Sequence, residues 1–362
     1  MALLRLFVRR SDFFTRRMAA TICKIPPSLI LYIFCPERQT PQKHFFIPTL
    51  FYQNENNMKS PVLLLSSLLL SGWTIFTPVT TEIFTENVIV VDFGISKRLM
   101  LTEASVEGKK GLFLFDTGAS HLTLNQAHFP EKKITSANGT FSNILSNGET
   151  TRTTQVATFE WGGIRRQQML CPIADLTAME AQLGYPILGL IGYNIVKEYQ
   201  VHIDYVDQLI MLVASNNETL PLKNPDYAFD FQLCGHLPVL EADIGLKQKL
   251  YLGLDSGATL NVVDKSWQKQ ARSLALRQQK IRLAGTSAGS TEADYWVFRQ
   301  LTLQNRLSIQ SPGVAFTDFR APAGRCIRID GLIGIDAFAW RKVVIDYPNA
   351  KLYVWNIAGF SF

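Results

Sequence analysis

Gly111-Leu-Phe-Leu-Phe-Asp-Thr-Gly-Ala-Ser120 returns 139 positions later as Leu250-Tyr-Leu-Gly-Leu-Asp-Ser-Gly-Ala-Thr259. In each copy a short apolar run closes on Asp, a hydroxyl residue and Gly, which suits a buried strand ending in a tight turn. Further markers follow in both copies. Leu188-Gly-Leu-Ile-Gly-Tyr-Asn194 matches Asp330-Gly-Leu-Ile-Gly-Ile-Asp336, and Val201-His-Ile-Asp-Tyr205 matches Val343-Val-Ile-Asp-Tyr347. Upstream, Leu101-Thr-Glu-Ala-Ser-Val106 echoes Val239-Leu-Glu-Ala-Asp-Ile244. Four markers in one order at a nearly constant offset make an internal duplication of two lobes, not a solenoid. The polar, proline-marked stretch Asn216-Asn217-Glu218 to Pro221 and Pro225 joins them. The expected lobes are residues 82–219 and 220–362.

The coarse secondary structure is mostly strand. Leu112–Phe115 and Tyr251–Leu254 read as buried strands, and Thr153–Trp161 and Tyr295–Leu303 alternate as half-buried ones. Glycines mark hairpins at Asn147-Gly148 and between Ala284 and Gly289. The one convincing helix is predicted over Asp264–Arg277, with Asp264 as its N-cap.

The chain has 362 residues, 47% apolar and 18% charged, which excludes a disordered chain or a coiled coil. Of the net charge of +6, residues 1–57 supply most, with 8 Lys and Arg against 3 Asp and Glu. A basic tally concentrated in a leader does not describe a nucleic-acid binder. Met58-Lys59-Ser60-Pro61, the apolar stretch through Phe76 and the polar exit at Thr77-Pro78 have the layout of a secretory signal. Residues 1–57 are then upstream sequence or a leader, and 58–81 a signal peptide or a membrane anchor, with residues 61–76 as the tether. Export to a periplasmic or extracellular location follows. The rival reading takes Arg5, Arg9, Arg10, Arg16 and Arg17 as an organelle-targeting presequence.

Two Asp turns brought face to face across a pseudo-twofold would set Asp116 beside Asp255. Two such close carboxylates share a proton over a wide pH range. One can then take a proton from water while the other donates to a substrate carbonyl, hydrolysing an amide without metal or cofactor. No CxxC or Cys/His cluster occurs among the five cysteines, so structural zinc is not expected.

Asp116-Thr-Gly-Ala-Ser120 and Asp255-Ser-Gly-Ala-Thr259 resemble the active-site motifs of aspartic proteases. Each is followed by that family's second marker, here Leu190-Ile191-Gly192 and Leu332-Ile333-Gly334. The Ala after each motif Gly, and the Asn194 or Asp336 two places after the later Gly, resemble retropepsin-type sequences more than pepsin. The likeness is to bacterial-type retropepsin-like proteases with both lobes fused in one chain, over residues 95–356. It implies an all-β, bilobal, acid-protease-like fold with few short helices and a peptide or protein substrate in the interlobe cleft. It further implies Asp116 and Asp255 as the catalytic dyad, Thr117 and Ser256 as its braces, and Gly118 and Gly257 as shapers of the turns. Ser120 and Thr259 would bond the outer carboxylate oxygens. Flap hairpins would fall near Asn138–Thr154 and Ala284–Ala293. With both halves in one chain, a monomer suffices. The rival class is an inactive peptide-binding module that uses the same cleft.

Other polar residues read as structural. Asp204 and Asp346 end strands, and Asn194 and Asp336 suit the caps of short helices. His121, His128, His202 and His236 share no spacing and accompany no nucleophile motif, so none is taken as catalytic. Asp294-Tyr-Trp296 suits the core or the cleft lining. An oxidising compartment would join two of Cys171, Cys234 and Cys326 and leave one free.

Overall fold

A computed structural model describes residues 88–137, 151–214, 222, 224–284, 290–319, 328–338 and 341–356, all inside the unit Ile83–Phe362. The expected leader, the signal or anchor segment and most of the linker lie outside the described residues.

The first half forms β1 (Val88–Asp92), β2 (Gly94–Ser96), β3 (Leu99–Val106), β4 (Lys109–Phe115), β5 (Thr123–Asn125) and β6 (Thr135–Ala137). It continues with β7 (Thr151–Trp161), β8 (Ile164–Ala174), helix α1 (Thr177–Leu183), β9 (Gly189–Ile191), the single turn α2 (Tyr193–Val196), β10 (Tyr199–Asp204) and β11 (Leu209–Ala214). The second half forms β12 (Tyr227–Asp230), β13 (Gln232–Cys234), β14 (Leu237–Asp243), β15 (Leu250–Asp255) and β16 (Asn261–Asp264). After α3 (Gln268–Ala271) come β17 (Ala275–Ala284), β18 (Ser290–Phe298), β19 (Gln300–Leu303), β20 (Leu307–Gln310) and β21 (Gly313–Thr317). The chain closes with β22 (Gly331–Gly334), β23 (Arg341–Asp346) and β24 (Lys351–Asn356). The fold is all-β and acid-protease-like.

Two sheets run in matching order. One is β2-β3-β4-β9-β5-β8-β7-β6, curled by an added β3–β7 pairing, and the other contains β14-β15-β22-β16-β21-β18 in the same sequence of neighbours. The mixed directions match too, since β4 with β9 and β15 with β22 are parallel, as are β5 with β8 and β16 with β21. A third sheet, β1-β11-β10-β23-β24-β12, takes three strands from each half. Its central pair β10–β23 is antiparallel with His202 opposite Val344, the two residues at equivalent places in the duplicated sequence.

Burial on both faces explains why the strands before the two Asp turns lack polar alternation. Phe113 and Phe115 of β4 enter the main core, while Leu114 enters a second cluster with Leu99, Leu101 and Leu190. Leu252 and Leu254 of β15 join the main core likewise. On the opposite face, a Cβ on Gly253 would stand 3.1 Å from both Ile329 and Leu237, members of a third cluster. Phe115 stacks on Trp161 at 5.7 Å, and the Trp161 indole N–H donates to Thr102 Oγ1 at 3.0 Å.

The predicted helix over Asp264–Arg277 is shorter than its pattern suggests. Asp264 does cap, accepting from Ser266 N at 2.9 Å, and Trp267 and Ala271 are buried. The turns then end at Leu274, and Ala275 takes extended geometry to begin β17 against β18. Arg277 and its neighbours are good helix formers, but tertiary strand pairing overrides propensity here. The other expected strands fall at β4, β7, β15, β18 and β19. Trp296 is core, 4.8 Å from Phe316 and buried.

Candidate active site

Asp116 follows β4 and Asp255 ends β15, each beside a strand of the second marker. The Asp116 amide donates to Ile191 O at 3.0 Å, and Asp255 pairs with Gly334 in the β15–β22 ladder. Each turn curls back onto its own carboxylate. Asp116 Oδ1 accepts from the Gly118 and Ala119 amides at 2.8 and 3.0 Å, and Asp255 Oδ1 accepts from Gly257 N at 2.8 Å.

The fold brings the two turns face to face. A Cβ on Gly118 would stand 2.4 Å from the Asp255 carboxylate, and one on Gly257 would stand 2.4 Å from the Asp116 carboxylate. No residue with a side chain fits at either place, so these glycines are what lets the carboxylates meet. Two hydroxyls lock the meeting crosswise. Thr117 N donates to Ser256 Oγ at 2.9 Å and Ser256 N donates to Thr117 Oγ1 at 2.8 Å. Ser256 Oγ donates onward to Phe115 O at 3.1 Å, and Thr117 Oγ1 to Leu254 O at 3.4 Å. Both side chains are buried, so loss of either hydroxyl would leave the buried backbone N–H of the other turn without its partner.

Burial raises the carboxyl pKa of both Asp116 and Asp255, and the charge of Asp255 raises Asp116 further. The turn amides pull the other way at both residues. An acid that donates to an ionised neighbour relieves their repulsion, which is how close carboxyls come to share one proton. Each Asp is buried, with 8% of its surface exposed.

The second-marker glycines support these turns from behind. A Cβ on Gly192 would stand 2.6 Å from the carbonyls of Ala119 and His121, and one on Gly334 would stand 2.6 Å from that of Ala258. Tyr193 N and Asn194 N donate to Ala119 O and Ser120 O at 2.8 and 3.1 Å. Asn194 differs from its expected role as a cap. Gly192 holds the N-cap position of α2, and Asn194 Oδ1 accepts from Leu122 N at 2.8 Å, latching the strand after the turn. The side chain of Asp336 lies outside the described residues.

Ser120 is half-buried and its hydroxyl pairs with His121 Nδ1 at 2.9 Å. Thr259 is half-buried at the end of the second turn. The expected flap segments fall on β6–β7 and β17–β18, which pair as hairpins, with the tips at 138–150 and 285–289 outside the described residues. Asp204 and Asp346 organise strand ends. Asp204 Oδ1 accepts from the Val206 and Asp207 amides, and Asp346 Oδ1 from that of Asn349.

One polar contact at the site has no forerunner in the motifs. His236, in the turn between β13 and β14, places Nε2 2.7 Å from Gly118 O. Its ring lies 6.3 Å from that of Tyr193, which packs edge-on against Tyr347 at 5.2 Å. Among the described residues no group of three or more His, Cys, Asp or Glu is placed to hold a metal ion.

Residues 102–195 match the aspartyl protease family. The matched segment contains Asp116, its turn and Gly192. No curated protein matches the chain.

Proposed function

We propose that the chain is an aspartic endopeptidase of retropepsin-like type, with one Asp from each of two fused lobes, residues 82–219 and 220–362, and water as the nucleophile. The observation that carries this reading is the mutual approach of the two carboxylates, each at the position where the other turn has only glycine. The family match over the first turn supports it. Before the reaction the two carboxyls share one proton, the pKa of each being raised first by burial. The ionised member then takes a proton from water, while its protonated partner donates to the carbonyl oxygen of the scissile amide. The resulting gem-diol collapses as the dyad returns a proton to the leaving amine. An extended peptide crosses the cleft, held by backbone hydrogen bonds, with apolar side chains next to the cut.

Export through the 58–81 segment belongs to the same reading. The disulfide at Cys234 supports it, because such bonds persist in oxidising compartments. Its partner lies outside the described residues, and Cys171 is free.

The full chain, incubated with a mixed peptide library from about pH 3 to about pH 8, should cut wherever one proton sits on the dyad. Asp255→Asn should bind the same peptides and leave them whole. Cleavage by both proteins alike would remove the dyad from the chemistry. Binding without cleavage by either would replace the endopeptidase with a peptide-binding module.

A further inference from the structure

The β13–β14 turn belongs to the second sheet, yet it delivers a side chain to the first Asp turn. Cys234 and Leu237 are buried on either side of the turn, and Gly235 reverses the chain between them with φ +65°. His236 is thereby enclosed at 4% exposure, with Nε2 2.7 Å from Gly118 O. A carbonyl oxygen only accepts, so Nε2 carries the proton. That carbonyl belongs to the peptide whose N–H, on Ala119, donates to Asp116 Oδ1 at 3.0 Å. Drawing electron density onto the oxygen makes the N–H the stronger donor, because hydrogen bonds in series polarise one another.

We infer that His236 is a positioning residue for Asp116, acting through the Gly118–Ala119 peptide to fix the carboxylate and favour its ionised form. This rests on the aspartic-endopeptidase reading for its effect on turnover, though not for the hydrogen-bond chain itself. The equivalent hairpin, β2–β3, has Arg98 before Leu99 where the second has His236 before Leu237. The titratable groups around His236 are His121 and Tyr193, with Lys197 beyond His121 and Tyr347 beyond Tyr193. Burial keeps the His236 ring neutral by lowering its pKa, against the pull of its bond to Gly118.

The test compares the full wild-type chain with His236→Phe, which keeps a buried ring but no donor, and His236→Gln, which restores an N–H. His236→Phe should lower kcat roughly two- to tenfold with KM unchanged, the loss of one hydrogen bond's worth of preorganisation. The acid limb of its pH profile should move up by about a few tenths of a unit, since Asp116 has lost part of a donor. His236→Gln should recover both. Independently of turnover, the Ala119 amide proton should move upfield in His236→Phe and return in His236→Gln. In the wild type, imidazole 15N shifts should report a protonated Nε2 and a bare Nδ1. The opposite tautomer, an Ala119 resonance indifferent to both substitutions, or equal loss in Phe and Gln variants would each overturn the inference. A wild type that shows the Ala119 response yet cuts no peptide would sink the endopeptidase reading alone.

Discussion

Thr117→Val removes one oxygen from the junction of the two turns and leaves its shape intact. Thr117 Oγ1 accepts from Ser256 N at 2.8 Å and donates to Leu254 O at 3.4 Å, in a place where Thr117 is 1% exposed. The substitution orphans the buried Ser256 N–H, which costs about 1–3 kcal/mol, and deletes a weaker bond worth about 1 kcal/mol or less. A loss of about 1–4 kcal/mol is expected, a large share of the total stability of most domains. Urea unfolding followed by fluorescence would measure it, with the midpoint falling and the slope unchanged. Ser256→Ala should cost a similar amount, because Ser256 Oγ accepts from Thr117 N and donates to Phe115 O. The two hydroxyls belong to one network, so the double variant should cost less than the two losses added, by about 0.5–3 kcal/mol. Thr117→Val within about 0.5 kcal/mol of wild type, or strict additivity in the cycle, would refute the cross-lock.

Other outcomes follow from the same structure. The His202 pKa is depressed to about 4 by burial, against the pull of Asp346, and its Nε2 has no hydrogen-bond partner. The unfolded chain therefore binds a proton before the folded one does, so stability should decline as pH falls from about 6.5 to about 4, by up to about 3 kcal/mol. His202→Leu should flatten that decline in urea titrations at several pH values, and an unchanged slope would count against it. Gly334→Ala would place a Cβ 2.6 Å from Ala258 O and 2.8 Å from Leu260 O, backbone atoms that cannot swing aside. It should destabilise the protein by about 2 kcal/mol or more and lower any peptide cleavage, and near-native behaviour in both would contradict the packing. Burial pushes the Cys171 thiol up to about 12. A thiol reagent at neutral pH should therefore leave it untouched in the native protein and label it on unfolding, so prompt native labelling of Cys171 would speak against its enclosure.

The strands carrying the dyad were legible because both their faces are buried close to the Asp turns, at Phe113–Phe115 and Leu252–Leu254, so Leu112–Phe115 and Tyr251–Leu254 read as apolar runs. The requirement for Gly118, Gly257, Gly192 and Gly334 was legible for a related reason, since backbone approach leaves one residue type. The region after Asp264 was less so. Its Gln- and Arg-rich composition favours helix, and only the partner strand β18, distant in sequence, turns Ala275–Ala284 into strand. Asn194 was misread because its side chain serves Leu122, 72 residues earlier, and not its own helix. His236 left no local signal at all. Its partner Gly118 lies 118 positions away, and only the packing of the β13–β14 turn against the first Asp turn joins them.

The shared proton is what the proposed chemistry rests on, and it is open to direct observation. In the full chain labelled with 13C at the Asp carboxyl carbons, Asp116 and Asp255 should respond to pH together, in two widely separated steps that belong to the pair. Asp255→Asn should leave Asp116 with a single step. Two carboxyls that titrate independently near the ordinary carboxylate value, unaffected by each other's replacement, would contradict the dyad.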